Sequence, residues 1–362
     1  MGLLTPMATA ICVLGGCGTI GRVIVNCLLQ YKRRLHITIA DLHIPRVALP
    51  KQTHFVKVDL HNHSLLVHLL RKHALVINST SHHFNLQVMS AALEAGTHYL
   101  DLGGLFHFTR RQLKLNDAFH KKNLTAILGM GCAPGISNLL ACWAAEGMDS
   151  VKEIHIKVGS QSWGPSSETL PYAIRTIQEE LTLKPVIYHH GRWLYQKPRS
   201  GVEWIDFPNP VGRQKIFRTL HSETATLPLS FSGLKEASFK IGFSNDMIRT
   251  VLKPGKGRKP KASSQQDSHI LPRDCEITAA FTFGRLHGNL IKRVAYCKVL
   301  SSGYHSAGDL DTAWPAAIVS WMLVSNQIQK RGVFPPETGV SFQLLFQELQ
   351  KMGFRFVRQR LS

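Results

Sequence analysis

Three glycines carry the first chemistry legible in this chain. Gly16, Gly18 and Gly21 sit in the run Gly15-Gly16-Cys17-Gly18-Thr19-Ile20-Gly21, after the short apolar segment Ala10 to Leu14 and before a stretch of helical spacing through Val23, Ile24, Cys27 and Leu28. A strand that runs through a glycine turn into a helix is the context a dinucleotide fingerprint requires. The first glycine permits the tight turn, the second lets backbone approach a diphosphate, and the third lets helix pack on strand. The helix N-terminus, with Thr19 and Ile20 in its first turn, offers amides to the anion. Asp41 stands 20 positions after Gly21, at the end of a second strand, His36 to Ala40. A carboxylate there accepts both ribose hydroxyls and repels a 2′-phosphate, so the cofactor reads as NAD(P), with NAD favoured by Asp41. Arg46, five residues on, keeps NADP open. Asp59, at the end of a strand over Thr53 to Val58, either contacts adenine or caps the helix expected from Ser64. Asn78, Ser79 and Thr80 end a fourth strand on the edge where open α/β sheets place ligands, and either line the nicotinamide ribose or make a simple turn.

The elements that must hold these residues alternate regularly. Helices are expected over Ser64 to Lys72, Phe84 to Ala95 and Arg110 to Lys122, and strands over Ala74 to Asn78, His98 to Leu102 and Thr125 to Leu128. Such alternation implies a parallel sheet of about six strands covered on both faces. From Val151 strands outnumber helices: Glu153 to Val158, Val186 to His190, Ala237 to Ile241, Ile277 to Thr282 and Ile291 to Val299, with one helix over Tyr172 to Leu181. Helical spacing returns in Trp314 to Ile328 and Phe342 to Met352. The expected architecture is α/β, a Rossmann doubly wound parallel sheet at 1–130, an inserted α+β substrate and dimerisation domain at 131–305, and C-terminal helices at 306–362 returning to the first domain.

Composition sets the outer limits. A chain of 362 residues, 44% hydrophobic and 18% charged, suits two folded domains rather than a disordered or disulfide-stapled protein. No apolar run reaches 18 residues and Met1 to Ala10 lacks the basic and apolar regions of a secretory signal, so a cytoplasmic location and no membrane partner are expected. The seven cysteines form no CxxC pair, which favours reduced thiols. Cys132 reads either as a nucleophile on an exposed loop or as a buried thiol. The net charge of +20 raises the question of nucleic acid, but the 14 basic residues of 1–125 fall in short clusters. The densest run, Lys253 to Lys261, lacks aromatics for base stacking and reads as a solvated loop. No nucleic-acid partner is expected, and attraction of anionic ligands is the simpler reading. Of the 19 histidines, 12 lie in the first 125 residues without cysteine or carboxylate at ligand spacing, so no metal is expected.

The motifs also resemble a known family. Val13-Leu14-Gly15-Gly16-x-Gly18-x-x-Gly21, Tyr99-Leu100-Asp101-Leu102-Gly103-Gly104, Gly131-x-Ala133-Pro134-Gly135-Ile136-Ser137-Asn138-Leu139-Leu140-Ala141 and Gly332-Val333-x-Pro335-Pro336-Glu337 look like the saccharopine dehydrogenase family. Its reductase and polyamine branches typically carry Asp where this chain has Ala133, which leans the resemblance toward the lysine-dehydrogenase-like and uncharacterised branch. The resemblance implies hydride transfer at a C–N bond of an amino acid or its imine adduct, with a lysine-, saccharopine- or polyamine-like substrate and a homodimer. A dinucleotide-binding sensor or scaffold without chemistry is the rival. The reaction needs a group that takes or gives the amine proton. Tyr99 and Asp101 on the ligand edge are candidates, as are His221 and Glu223, which alternate on one strand face if that segment is extended. His221 and Glu223 read equally as ordinary polar residues of a surface strand. Ser137 and Asn138, at a helix start, and Arg175 or Arg218 are candidates to hold a substrate carboxylate.

Overall fold

The computed structural model describes residues 10–31, 35–45, 48–163, 174–252 and 273–361. The basic helix end Lys32 to Arg34, Arg46, Tyr172 and the run Lys253 to Lys261 lie outside them. The first 130 residues alternate as β1 (Ala10–Leu14), α1 (Thr19–Tyr31), β2 (His36–Asp41), β3 (Thr53–Lys57), α2 (His63–Leu70), β4 (Leu75–Asn78), α3 (Asn85–Ala95), β5 (His98–Asp101), α4 (Phe106–Leu113), α5 (Asn116–Lys121) and β6 (Thr125–Ile127). All the strand pairs among these are parallel, and β4 is buried at every position, as a sheet covered on both faces requires. The helix expected over Arg110 to Lys122 is two short helices, α4 and α5, broken at Lys114 and Leu115.

Then α6 (Ile136–Ala145) leads into β7 (Ser150–Ser162), α7 (Ile174–Thr182), β8 (Val186–His189), β9 (Arg192–Tyr195), β10 (Glu203–Asp206), β11 (Arg213–Arg218), α8 (Glu223–Ser230), β12 (Glu236–Ile241), α9 (Asn245–Leu252), β13 (Asp274–Leu286) and β14 (Asn289–Leu300). The chain ends with α10 (Ala307–Val324), β15 (Gly332–Phe334), α11 (Phe342–Lys351) and β16 (Arg355–Leu361). Two sheets result: a parallel one in the order β15-β6-β5-β4-β1-β2-β3, and a mixed one in the order β10-β11-β12-β7-β13-β14-β16, with β8 and β9 attached to β12.

The C-terminal helix α10 returns to pack along α1 of the first domain, as expected, but the C-terminal region also adds two strands that were not. β15 adds a seventh strand beside β6, while β16 pairs antiparallel with β14 in the second sheet. Gly332–Phe334 and Arg355–Leu361 are short runs without alternation whose backbone partners lie some 200 and 60 residues upstream, so their strand character is decided by pairing, not by local pattern. The two sheets share one apolar core. Val13 and Ile24 of the first domain, Leu139 and Leu140 of α6, Ile156 of β7 and Ile318 of α10 belong to the same buried cluster. Each wholly buried aliphatic side chain there contributes about 2 kcal/mol. The N-terminus of α10 is closed by a reciprocal pair: the Ser306 hydroxyl accepts from the Asp309 amide, and the Asp309 carboxylate accepts from the Ser306 amide.

Candidate active site

The glycine turn has the shape its residues predict. The Gly18 amide donates to the Gly15 carbonyl at 2.9 Å and the Gly15 amide to Ala40 O at 2.8 Å, so the turn is laced to the end of β2. A Cβ on Gly21 would stand 2.2 Å from the Gly15 oxygen and 2.8 Å from the Gly16 Cα, which is why only glycine lets α1 approach β1 so closely. The first-turn amides of α1 have no partner within the helix and point out of this cradle, which suits a diphosphate. Asp41 lies beside it: Oδ2 accepts from the Cys17 amide at 3.1 Å and Oδ1 from the His43 amide at 3.1 Å. Each oxygen retains a lone pair for a ribose hydroxyl. The residues present therefore fit a dinucleotide. Gly21→Ala is expected to open the turn and weaken NADH or NADPH binding by ~100-fold or more, read by calorimetric titration with a parallel melt to confirm folding. Unchanged affinity would place the nucleotide elsewhere.

Asp59 is exposed, and its carboxylate accepts from the His61 amide at 2.9 Å. It does not cap α2; the Asn62 side chain does, accepting from the Leu65 amide, and the helix starts at His63 rather than Ser64.

Under the C-terminal ends of β4 and β5 runs a buried polar chain. The Thr80 hydroxyl donates to Asn78 Oδ1 at 2.6 Å, Asn78 Nδ2 to Asn85 Oδ1 at 2.9 Å, and Gln112 Nε2 to Asp101 Oδ2 at 2.6 Å. The Tyr99 hydroxyl donates to the same Asp101 oxygen at 2.8 Å. Asp101 Oδ1 accepts from the amides of Gly103 at 2.9 Å and Gly129 at 2.7 Å. Burial raises the Asp101 pKa, opposed by these four donors, and burial likewise raises Tyr99 well above the usual phenol value. Both side chains are 1% exposed or less, and their polar atoms are spent on one another and on backbone. They brace three loops of the ligand edge against each other.

The second domain covers that edge. His82 and His83, just after β4, meet Glu179 of α7 at 2.9 and 2.8 Å, and Arg110 of α4 lies over the Trp193 ring. Behind them His221 and Glu223 come together at 2.7 Å, Nδ1 to Oε2, though not as strand neighbours. Glu223 opens α8, so the expected extended segment is a loop running into a helix. The expectation failed because Thr224 to Leu229 carries too weak a helical period to be seen beside the preceding strand. His221 stacks on Phe239 with ring centroids 3.7 Å apart, and its Nε2 lies 3.7 Å from Glu180. Burial pushes its pKa down, but Glu223 and Glu180 outweigh burial and hold it above the ordinary value.

Ser137 and Asn138, buried at the start of α6, join this group rather than an open pocket. The Ser137 hydroxyl donates to Glu223 Oε1 at 2.8 Å, and Asn138 Nδ2 donates to Glu337 Oε2 at 2.9 Å. Their turn depends on Gly135, at φ +128°, whose added Cβ would lie 2.1 Å from the Gly131 oxygen. Arg175 is 71% exposed and pairs with Glu179, while Cys132 is a buried thiol.

Glu180, Glu337 and Gln112 were not singled out by sequence. Only Glu337 carried a signal, through the Pro335-Pro336-Glu337 motif. Its carboxyl is enclosed by Asn138 and Ser230, and burial raises its pKa to about 7 against their hydrogen bonds. A carboxyl whose native pKa exceeds the unfolded value stabilises the fold below about pH 4.5 in full, and that stabilisation is lost as pH rises through 7. Glu337→Gln is expected to flatten stability between pH 5 and 8 and to gain about 2 kcal/mol over the parent at pH 8 relative to pH 5. Urea midpoints at the two pH values check this, and parallel slopes would refute it.

Comparison with known proteins bears on the fold and the N-terminal domain. Residues 11–127 match the family model of the saccharopine dehydrogenase NADP binding domain. Over 185 residues the chain is 28% identical to a carboxyaminopropylagmatine dehydrogenase of Synechocystis, covering 48% of this chain and 45% of that protein. It is 24% identical to a carboxynorspermidine synthase of Vibrio cholerae, covering 47% and 44%. The matched region thus spans about half of this chain and less than half of those relatives. A saccharopine dehydrogenase (L-Glu forming) of Saccharomyces cerevisiae shares the fold across 98% of this chain and 100% of its own, with TM-score 0.73 at 13% identity. No helix among the described residues is long and apolar enough to cross a membrane. The resemblance to the saccharopine dehydrogenase family read from the motifs therefore holds: residues 11–127 match its NADP binding domain model, and the chain shares the fold of a saccharopine dehydrogenase.

Proposed function

We propose that this protein is a nicotinamide-dependent oxidoreductase that moves a hydride at the C–N bond of an amino acid or of the imine adduct such an amine forms. The observation that carries the reading is a buried imidazole–carboxylate pair, His221 and Glu223, pressed by the second domain against the start of α6 at the ligand edge of the dinucleotide-binding sheet. In this reading Gly16, Gly18, Thr19, Ile20 and Gly21 hold the diphosphate, Asp41 the adenosine ribose, and Asn78 with Thr80 the floor under the nicotinamide ribose. The bound nicotinamide supplies or accepts the hydride. His221 gives or takes the amine proton, with Glu223 fixing its tautomer and Ser137 fixing Glu223. In this reading Arg175, exposed and paired with Glu179, meets a substrate carboxylate. The relatives named for carboxyaminopropylagmatine and carboxynorspermidine support an amine-bearing carboxylate as substrate.

Asp41 favours NAD. Asp41→Ala is expected to weaken NADH by about tenfold and to narrow or reverse the gap to NADPH, measured as two dissociation constants. Tighter NADPH binding by the parent chain would overturn the NAD preference. For the reaction, the full chain with NAD or NADP is offered lysine, saccharopine and carboxynorspermidine, and nicotinamide absorbance is followed across pH. Turnover whose pH profile moves in His221→Gln supports the assignment. Saturable nucleotide binding without turnover on any of them favours the sensor reading instead.

A further inference from the structure

At the Pro-Gly turn three side chains distant in sequence meet: Cys132, Glu276 of β13 and Asp311 of α10. Cys132 Sγ lies 3.6 Å from Glu276 Oε1 and 3.0 Å from the Thr278 hydroxyl. One ligand-capable atom from each of Cys132, Glu276 and Asp311 falls within 4.8 Å of the others. Asp311 is 1% exposed, and its Oδ2 is buried without a hydrogen-bond partner. No Lys or Arg ion pair reaches Glu276 or Asp311 among the described residues. The other two clusters of this kind differ. Glu179 is hydrogen-bonded to His83 at 2.8 Å and Glu236 to His189 at 2.7 Å, so each of those carboxylates already has an imidazole partner. Around Cys132 the thiol donates to Glu276, but the two carboxyls crowd each other with no Lys or Arg beside them, in a chain otherwise rich in cations. A cation inside such a group relieves that crowding.

We propose that Cys132, Glu276 and Asp311 bind a divalent transition-metal ion of the zinc class. A tetrahedral site with about 2.3 Å to sulfur and 2.0 Å to oxygen sets neighbouring ligand atoms ~3.5 Å apart, which the Cys132–Glu276 spacing matches. A thiolate among the ligands selects zinc or cobalt over magnesium or calcium, and Thr278 or a water completes the set. Glu276 is the one member of the three that is not fully enclosed. The ion would tie the Pro-Gly turn to the second sheet and to α10.

The full chain, stripped with a chelator, is titrated with Co2+ and watched for the thiolate-to-cobalt charge-transfer band. We expect one equivalent per chain, displaced by Zn2+, with the band lost in Cys132→Ser and affinity weakened at least tenfold in Asp311→Asn, which leaves the thiol in place. His189→Ala should keep the band. Absence of the band at saturating Co2+, or its survival in Cys132→Ser, overturns the proposal and leaves the two carboxyls sharing a proton. Near-ultraviolet circular dichroism of each variant separates loss of metal from loss of fold.

Discussion

Asp101→Ala is expected to lower the unfolding free energy by ~3 to 5 kcal/mol, the largest single effect of any side chain on the ligand edge. Four donors converge on that carboxylate, from Tyr99, Gln112, Gly103 and Gly129, at 2.6 to 2.9 Å, and the site is 1% exposed. Truncation strands all four away from water, and each buried unsatisfied donor costs about 1 kcal/mol or more. Asp101→Asn keeps the shape but turns one acceptor into a donor facing donors, so about half the loss is expected. Urea unfolding of both variants reads the effect. A catalytic Asp101 would show the opposite pattern, with stability held and turnover lost.

Glu223→Ala comes second, at ~3 kcal/mol, because it removes the carboxylate partner of a buried imidazole and the acceptor of the Ser137 hydroxyl together. The pH dependence gives the sharper readout. His221 is held above its ordinary pKa, so its pairing stabilises the fold in full below about pH 6.5 and is lost as pH rises through the native value. In Glu223→Gln the imidazole reverts toward neutrality under burial, and this slope should shrink or invert. Thermal melts from pH 5.5 to 9 of parent and variant test it, and superimposable profiles would mean that the pair carries no charge.

The glycine turn was legible in the sequence because its constraint is local. Gly21 must be glycine to pass within contact of Gly15, and Asp41 follows one helix and one strand later at a fixed distance. The parallel sheet was legible for the same reason, since apolar runs of five alternating with helical spacing admit few other folds. The second domain was harder. Helix α8 hides inside a segment of hydroxyl-bearing residues with weak periodicity, and β16 is a strand only because β14 offers its edge.

What the residues alone determined is the nature of the nucleotide cradle: bare amides, a carboxylate for sugar hydroxyls and the βαβ frame that holds them, all set by neighbours within some thirty positions. Tertiary structure alone decided which polar groups work together. Ser137, Glu223 and His221 meet across 86 residues, and Cys132 meets Asp311 across a still longer span. Contacts of that range leave no period or spacing in a chain, because they are paid for by burial in a shared core rather than by the preferences of adjoining residues.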